Sequence, residues 1–503
     1  MFSRVCVNTR NREGVVTMEM LGTELGGNLD RFREIFRADG TFRHRVFRSG
    51  MGVRCAVLYL DGMISASVIS GNVIRPLMES GRLPAGEDPA AFASEAVLWA
   101  GEVKGANEPG SLVSALLHGE AVLLFDGSAS ALHIDAKGFR TRGIQEPQNE
   151  SVLQGPREGF DESAIPNLAM LRRKLQTEDL CMEPMTVGRR SGTAIYVCYL
   201  RSLASPRLVK EVRRRLGTID IDGVLDTNYL NELIRDRGRS VFKTIGTTER
   251  PDVVAAKLLE GRVAIVADGT PVALTMPYLF AENFQSDEDY YLNFWVSSIG
   301  RFLRYVCFFL TVSVPAVYLA LLTHHQSLLP TFLLLSSAGT RGGVPVSSLA
   351  ECLLLILVLE ILKETGARMP QNLGHTLGII GGLVVGEAAV EARLISASML
   401  IVVAVSGIAG LMIPRLRAAV FYIRLGLVLL AAWLGLAGCL VGVTLLLIRI
   451  MGISSFGVPY LQPLESPTVQ GLKDTVFRLP WDMMRTRPLF NRDRVRQKRR
   501  NDR

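Results

Sequence analysis

The chain has 503 residues, of which 48% are hydrophobic and 21% charged, and its formal net charge is +8. These averages hide two unlike halves, because the sequence up to about Tyr291 is mixed and charged, whereas Phe302 to Met451 is mostly Leu, Ile, Val, Ala and Gly. So extended an apolar region excludes a protein that is soluble throughout. The seven Cys are scattered without a CxxC pair, which favours reduced thiols over a structural zinc site.

The soluble half contains an internal repeat. Leu116–Gly127 and Leu258–Gly269 both read Leu-Leu-x-Gly, then an apolar run, then Asp-Gly, at an offset of 142 residues. A weaker pair, Cys55–Ile64 and Val197–Pro206, has nearly the same offset. Two matches at nearly one offset predict a duplicated module.

Each copy of the repeat predicts an α/β unit. A helix ends at the Gly of Leu-Leu-x-Gly, a buried strand follows, and Asp-Gly turns the chain into a second strand. Asp126 and Asp268 could serve as catalytic carboxylates, but turn chemistry is the better interpretation, because Asp and Gly both tolerate left-handed backbone. We therefore predict two similar α/β subdomains, residues 1–150 and 151–295.

A short motif separates the two copies and is interpreted as a subdomain linker and interaction motif. It consists of Gly155, Pro156, Arg157, Glu158, Gly159 and Phe160. Two Gly and one Pro predict a rigid bend, and the absence of a following Gly-Lys-Ser/Thr excludes a phosphate-binding P-loop. The next segment, Asp161–Leu175, has helical periodicity, and its basic residues Arg172, Arg173 and Lys174 form either a solvated face or a partner contact.

The second half predicts an all-α polytopic transmembrane domain over residues 296–451. The clearest segments long enough for a hydrocarbon core about 30 Å thick are Phe302–Leu322, Ile395–Ile413 and Leu425–Ile448. Three weaker segments bring the predicted total to five or six: Ser327–Ala338, Leu349–Leu362 and Thr376–Glu391. Pro315 predicts a kink in the first segment, and an ion cluster is expected around Glu360, Lys363 and Glu364.

Acidic residues within the apolar region are the candidate functional groups, because charge inside a bilayer is costly. Glu387 and Glu391 are four residues apart and share a helix face with Ile380 and Val384. Gly residues upstream allow close helix approach. This face either lines a cation pathway, or both Glu lie at the membrane interface near Arg393, paired and inert. We take the four residues as candidate pore-lining residues.

Both ends of the chain are predicted to lie in the cytosol. The segment Met1–Gly14 has no apolar core, so we expect no cleavable signal peptide. The tail, residues 452–503, ends in a basic stretch that contains nine Arg or Lys and two Asp from Arg485 to Arg503. The positive-inside rule accounts for this charge, so no nucleic-acid partner is predicted. No nucleophile–base set occurs either, and we expect no enzyme activity, catalytic residue, cofactor or metal.

Four blocks of sequence carry a family resemblance. They are GPREGF with LRRKL (Gly155–Leu175), ERPDVVAAKLLEGRVAIVADGTPVALTMP with FQSDEDYY (Glu249–Tyr291), ETGARMP with GIIGGLVVGEAAVEARLIS (Glu364–Ser396), and SFGVPY, KDT and RLPW (Ser455–Trp481). On these blocks the chain resembles the A subunits of spore germinant receptors, the GerA family of endospore-forming Firmicutes, from about residue 30 to 495. The family often has Gln where Glu387 and Glu391 stand, which weakens a requirement for negative charge there.

The resemblance implies a multi-pass protein of the spore inner membrane, with its N-terminal half and basic tail on the core side. It implies a complex with a transporter-like B subunit that binds the nutrient and with a C lipoprotein. It also implies that A subunits form homo-oligomers, pentamers by expectation, as ligand-gated cation channels that trigger germination. The alternatives are a non-conducting scaffold of the receptor complex and a paralogous spore channel protein that acts later. A secondary transporter would predict an inverted repeat in the membrane half, and none is found.

Overall fold

The computed structural model describes residues 20–84, 86–138, 150, 154–236, 240–368, 386–462, 464, 473–484 and 486–487. Its first part is rich in β-sheet and its second part is helical. The two parts meet near residues 277–291, where the chain passes from the last strand of the second sheet into the first long helix.

The first sheet has five antiparallel strands in the order β1-β2-β4-β5-β3. The strands are β1 (Phe42–Arg48), β2 (Arg54–Leu60), β3 (Val103–Ala106), β4 (Glu120–Phe125) and β5 (Ala131–Asp135). The helices are α1 (Leu25–Ile35), α2 (Ala66–Val68), α3 (Arg75–Glu79), α4 (Pro89–Phe92) and α5 (Pro109–Leu117), with π-helical turns at Ile69–Ile74 and Ala93–Val97. The central strands β2 and β4 are almost wholly buried, because apolar groups pack on both faces of the sheet.

The second sheet repeats this order as β6-β7-β9-β10-β8, again with antiparallel neighbours. Its strands are β6 (Leu180–Val187), β7 (Thr193–Leu200), β8 (Gly246–Thr248), β9 (Val263–Ala267) and β10 (Ala273–Met276). Its helices are α6 (Ala164–Lys174), α7 (Pro206–Gly217), α8 (Thr227–Ile234) and α9 (Pro251–Leu259). The two sheets are thus built alike, while the subdomain boundary at residue 150 stays a prediction.

The Asp of each Asp-Gly motif has the same structural role in both sheets. The Oδ1 atom of Asp126 accepts a hydrogen bond from the backbone N–H of Leu25, at the first residue of α1 (3.2 Å). The Oδ1 atom of Asp268 accepts one from the backbone N–H of Ala164, at the first residue of α6 (2.9 Å). A carboxylate at a helix N-terminus satisfies an otherwise unpaired donor. Both Asp residues therefore follow a strand and hold the first helix of their unit.

The left-handed backbone at Gly261, in the second Leu-Leu-x-Gly motif, can be tested by substitution. It has φ of 78°, and Gly119 in the first motif has φ of 86°. We expect Gly261→Ala to cost about 1–2 kcal/mol of stability, because a side chain disfavours left-handed backbone. Gly217→Ala is the matched control, since an added Cβ there meets nothing within 4 Å. Thermal unfolding of the purified full-length chain measures both variants, and equal melting temperatures would contradict the expectation.

The helical part contains six α-helices among the described residues. They are α10 (Phe294–Thr323), α11 (Thr331–Arg341), α12 (Ser348–Arg368), α13 (Gly386–Glu391), α14 (Ala397–Leu411) and α15 (Arg417–Met451), followed by a small hairpin of β11 (Ser454–Ser455) and β12 (Val458–Pro459). In the described part of the chain, two segments are long and apolar enough to cross a membrane, Phe294–Thr323 and Pro414–Met451, while Ala397–Leu411 is apolar but shorter. Pro315 lies inside α10 without ending it.

The last long helix reverses direction at Gly435, whose backbone leaves the helical region (φ 62°, ψ −140°). A Cβ placed on Gly442 would meet the side chain of Leu427. In one straight helix these residues would lie about 22 Å apart along the axis, so only a hairpin brings them together. The prediction that Leu425–Ile448 is a single span is therefore wrong. The two arms, residues 417–434 and 436–451, are each about 24–27 Å long.

Contacts at their ends fix the directions of the other long helices. The C-terminal end of α10 lies at the reversal, because a Cβ on Gly435 would meet His324 and His325. Near the start of α12, Glu351 Oε1 accepts from the backbone N–H of Ser396, which caps α14 (2.5 Å). Near the other end of α12, Lys363 lies beside Gly410 of α14. Hence α12 and α14 run in the same direction.

Candidate functional site at the junction of sheets and helices

A buried carboxylate, Asp289, lies where the second sheet connects to α10. Its Oδ2 atom accepts from Arg301 Nε at 2.7 Å and from Arg304 Nη1 at 2.9 Å, and its Oδ1 atom accepts from Arg304 Nη2 at 3.0 Å. The side chains of Asp289 and Arg301 are 2% and 0% exposed. One carboxylate thus faces two guanidinium groups, and a second negative charge is needed to balance them.

Asp474, far along the chain, supplies the second charge. Its Oδ1 atom accepts from Arg301 Nη1 at 2.6 Å, and its Oδ2 atom accepts from the Tyr290 hydroxyl at 2.7 Å. Burial, with the neighbouring Asp474 carboxylate, raises the pKa of Tyr290 well above 10, so its hydroxyl remains a donor. Gln285 Nε2 also donates to the main-chain oxygen of Asp474 at 2.7 Å. The segment 473–484 is therefore fixed against the base of α10.

Arg478 adds a second attachment of the same segment. Its main-chain oxygen accepts from Ser298 Oγ at 2.9 Å. Its guanidinium lies 5.8 Å from the ring centre of Tyr290 and 5.3 Å from that of Trp481, which are cation–π distances. The described part of the tail is thus an integral part of the junction.

The β11–β12 hairpin attaches the end of α15 to the second sheet. Ser455 Oγ accepts from the backbone N–H of Tyr278 at 3.1 Å and donates to the carbonyl of Thr244 at 2.6 Å. The ring of Phe456 lies 4.3 Å from the Arg215 guanidinium and joins the apolar core of the second sheet. The last helix pair and the second sheet are therefore connected directly.

Glu282 is the acidic centre on the sheet side of the junction. Its Oε1 atom accepts from Arg262 Nη1 and its Oε2 atom from Lys257 Nζ, both at 2.6 Å. Burial opposes ionisation, but the positive charges of Arg262 and Lys257 prevail and lower the pKa of Glu282 to about 2. The carboxylate is therefore charged at neutral pH and holds α9 against the chain that leads into α10.

Arg415, in the turn between α14 and α15, holds the same connecting segment from the helical side. Its Nη1 atom donates to the carbonyl oxygens of Glu282 (3.2 Å) and Gln285 (3.0 Å), and its Nη2 atom pairs with Asp287 at 3.2 Å. Residues 280–291, here called the connecting segment, thus contact α10, the turn before α15 and the tail together. A displacement of this segment would therefore change its contacts with α10, with the turn before α15 and with the tail.

A second ionic cluster lies between α12 and α15. Arg424 is buried and pairs with Glu360 at 2.8 Å, and Lys363 pairs with the same carboxylate at 3.2 Å. Arg417 pairs with Glu364 at 3.2 Å. The ion cluster predicted around Glu360 and Glu364 is present, and α15 contributes the cations that the sequence pattern did not reveal.

The model of the Bacillus/Clostridium GerA spore germination protein family matches residues 30–490 of this chain. The chain belongs to the GerA family. Its homologues are spore germination proteins, which supports a role related to the germinant receptors.

The chain is similar to two spore germination proteins and to one solved domain. Spore germination protein KA of Bacillus subtilis (strain 168) is 38% identical over 451 residues, which are 88% of this chain and 82% of that protein. Spore germination protein B1 of the same strain is 34% identical over 486 residues, 95% of this chain and 100% of that protein. The crystal structure of the N-terminal domain of the A subunit of the Bacillus megaterium spore germinant receptor GerK3 is 33% identical, with a TM-score of 0.41, and covers 52% of this chain and 98% of that chain.

The candidate pore residues of this GerA chain are only partly described. Ile380 and Val384 lie outside the described residues. Glu387 and Glu391 lie on α13, and both are exposed. The assignment of these four residues to a pore therefore stays a prediction. Among the described residues, no group of three or more His, Cys, Asp or Glu side chains could hold a metal ion.

The predicted linker motif lies against the second sheet. The carbonyl oxygen of Pro156 accepts from Arg250 Nη2 at 3.0 Å, and the N–H of Phe160 donates to the carbonyl of Glu249 at 2.8 Å. Phe160 is buried with α6 and α9, and Gly159 is buried beside it, whereas Arg157 is exposed. A side chain at Gly155 would meet the ring of Tyr291 in the connecting segment. The motif therefore packs closely at the edge of the junction.

The structure separates the two Arg residues of the predicted basic face. Arg172 is buried and forms an ion pair with Asp39, and its Nη1 atom donates to the carbonyl of Thr177 at 2.9 Å. Arg173 is partly exposed and contacts Glu158 of the linker motif at 3.4 Å, and Lys174 reaches the same carboxylate at 2.8 Å. Any partner surface on this face is consequently limited to Arg173 and Lys174.

Proposed function

We propose that this chain is the A subunit of a nutrient germinant receptor in the spore inner membrane and that it oligomerises into a ligand-gated cation channel. The observation that carries the proposal is its membership of the GerA family over residues 30–490. In this proposal a transporter-like B subunit binds the nutrient, and a C lipoprotein completes the complex. Channel opening would release cations from the spore core and start germination. Neither enzymatic activity nor a cofactor nor nucleic-acid binding forms part of the proposal.

The directions of the long helices support a polytopic arrangement with an even number of crossings. α10 leads away from the junction, and α12, α14 and the second arm of α15 lead back to it. Because α12 and α14 run in the same direction, the chain has to return once between them, and the first arm of α15 supplies another return. Six passages then keep the sheets, the hairpin and the basic tail on one side, in agreement with the positive-inside rule.

The junction gives this proposal a physical route from the soluble part to the membrane part. Asp289 and Arg301 connect the second sheet to α10, and Arg415 connects it to the turn before α15. A nutrient-dependent movement of either part would shift the conformational equilibrium of the other through these contacts. This requires that the contacts differ in free energy between the two conformations.

The main alternative is a scaffold that assembles receptor subunits without conducting. The observation in its favour is the size of the sheet-containing part, with two similar sheets and a partly exposed Arg173 and Lys174. The paralogous spore channel protein that acts later is a variant of the channel proposal with other partners. A conductance measurement separates the scaffold from both channel alternatives.

Potassium flux from liposomes that contain this chain with its B and C partners tests the proposal. We expect Val384→Ala to raise the flux, because a smaller side chain widens a constriction. Glu387→Gln is expected to reduce the preference for cations over anions, with a modest effect because the family often has Gln there. Val46→Ala on β1 and Glu79→Gln on α3 are matched controls, since both residues are exposed and lie in the first α/β unit. If no protein conducts and no variant differs while assembly is intact, the scaffold replaces the channel.

A further inference from the structure

A cavity of about 320 Å³ opens at the junction and has no assigned role. It lies between α9 and the β8–β10 pair of the second sheet, the connecting segment, the turn before α15 and the described tail. A cavity of this volume is at the lower end of the range for small-molecule sites. Its walls come from both the sheet side and the helical side, so an occupant would contact both parts of the chain.

The charged groups around this junction cavity are mostly paired with one another. Lys257 pairs with Glu282, Arg415 pairs with Asp287, and Asp252 pairs with Arg250 at 2.7 Å. Lys243 differs from them, because no described carboxylate lies within 4 Å of its ammonium group. Lys243 lines the cavity and is in part exposed to solvent. This ammonium group is therefore available to an incoming anion.

The surroundings of Lys243 favour an anionic ligand. Desolvation lowers the pKa of Lys243, and the nearby positive charge of Arg415 lowers it further, against a weaker opposing effect of Glu150. Glu150 is itself occupied, because its Oε2 atom accepts from Thr248 Oγ1 at 2.6 Å and from the backbone N–H of Glu249 at 3.0 Å. A ligand carboxylate beside Lys243 would offset the repulsion between the two cations.

The remaining lining restricts the class of anion. Tyr278, Val253, Ala256 and Trp481 present aromatic and aliphatic surface, which suits an apolar ligand body. Five carboxylates also line the cavity, Glu150, Asp252, Glu260, Glu282 and Asp287, and they would repel a phosphate dianion or a nucleotide. Four of these carboxylates pair with cations, so they repel a single negative charge less strongly than a dianion. One carboxylate on a compact apolar body therefore fits best.

We propose that the junction cavity binds a small organic monocarboxylate, whose carboxylate group pairs with Lys243 and whose apolar body packs against Tyr278 and Trp481. A ligand held there contacts α9 and the connecting segment on one side and the turn before α15 on the other. Binding stabilises the arrangement of the junction that contains this cavity, by mass action. This inference does not depend on ion conduction, because it concerns only binding to the core-side junction.

The test uses the full-length chain in phosphatidylcholine nanodiscs, which contain no lipid carboxylate. The probe is 3-phenylpropionate, and 3-phenylpropanamide is its neutral counterpart of nearly equal shape. Isothermal titration calorimetry is expected to show saturable binding of the acid and at least about tenfold weaker binding of the amide, which corresponds to about 1.4 kcal/mol. Lys243→Met should weaken binding of the acid by a similar factor, while Lys243→Arg should retain most of it.

Lys210→Met is the matched control, because Lys210 is exposed on α7 and does not line the cavity. It should leave the affinity for the acid unchanged. The comparison of acid with amide on the unmodified chain does not require any variant to fold, so it decides the matter independently. The proposal is overturned if the acid shows no saturable binding up to about 10 mM, if the amide binds equally well, or if a folded Lys243→Met variant binds the acid as the unmodified chain does.

Discussion

Replacing Arg172 by Met is expected to lower the free energy of unfolding by about 3–5 kcal/mol, because it leaves the Asp39 carboxylate buried without its counter-ion. The side chains of Arg172 and Asp39 are 2% and 3% exposed. Asp39 Oδ1 would still accept from the N–H of Thr41 at 2.9 Å and from its hydroxyl at 2.7 Å. The Oδ2 atom would lose its guanidinium partner.

The same ion pair holds the two sheets against each other. Asp39 belongs to the turn before β1, whereas Arg172 belongs to α6 of the second unit. Next to the pair, the N–H of Gly40 donates to the carbonyl of Met182 at 2.8 Å, and the N–H of Met182 donates to the carbonyl of Ala38 at 3.0 Å. Loss of the guanidinium therefore weakens a contact between units as well as one buried charge.

Scanning fluorimetry of the full-length protein in detergent measures this effect. Arg172→Met should lower the apparent Tm by on the order of 10 °C. Arg173→Met is the matched control, because the Arg173–Glu158 pair is about one-third exposed and is worth about 1 kcal/mol or less. The double variant Arg172→Met with Asp39→Asn should recover part of the loss, since no unpaired charge then remains. Equal destabilisation by the two single Arg variants would refute this account.

The helical periodicity around Arg172 contained a signal for its burial. Leu168, Leu171, Arg172 and Leu175 follow the spacing of one helix face, so Arg172 shares the apolar side of α6. The run of three basic residues suggested a single basic face, but successive residues on a helix point about 100° apart. The duplicated modules were easier to predict, because each copy repeats a helix end, a buried strand and a turn within one short stretch of sequence.

The reversal at Gly435 and the closure of the junction could not be predicted in the same way. The run through Gly435 is uniformly apolar, and hydropathy gives no information about a turn within it. The Asp474–Arg301 pair joins residues 173 positions apart, and local patterns do not encode such contacts. Asp289 lies in the block FQSDEDYY and Asp474 in the block KDT. Each block is a family motif, but neither sequence indicates which residue its Asp contacts.

Replacing Asp289 by Asn should release the described tail from the base of α10. Asn has nearly the same shape but no charge, so Arg301 and Arg304 would face each other with only Asp474 to balance them. Removing one partner from such a buried network costs about 3–5 kcal/mol. Asp289 Oδ2 also accepts from the backbone N–H of Ser286 at 3.1 Å, so the substitution weakens the connecting segment as well.

Limited trypsin digestion reports this release, because Arg478 lies within the attached tail segment and is only 3% exposed. Cleavage after Arg478 requires the tail to leave the junction, and its rate follows the population of the open form when reclosing is fast. Asp289→Asn should therefore speed cleavage by about 100-fold or more, since each 1.4 kcal/mol corresponds to a factor of ten. Asp220→Asn is the control, because Asp220 is 74% exposed and its pair with Arg189 contributes little.

If the tail detaches while the sheets stay folded, the network around Asp289 holds the tail to α10 without contributing much to the stability of the sheets. We expect the melting of the second sheet to stay close to that of the unmodified chain, because Glu282 keeps Arg262 and Lys257, and Ser455 keeps its bonds to Tyr278 and Thr244. Cleavage at the rate of the unmodified chain would mean that Arg478 and Trp481 hold the tail without the ionic network. In that case the coupling between sheet and helices would rest on Arg415, the β11–β12 hairpin and the aromatic contacts of Phe280 and Phe284 with α10.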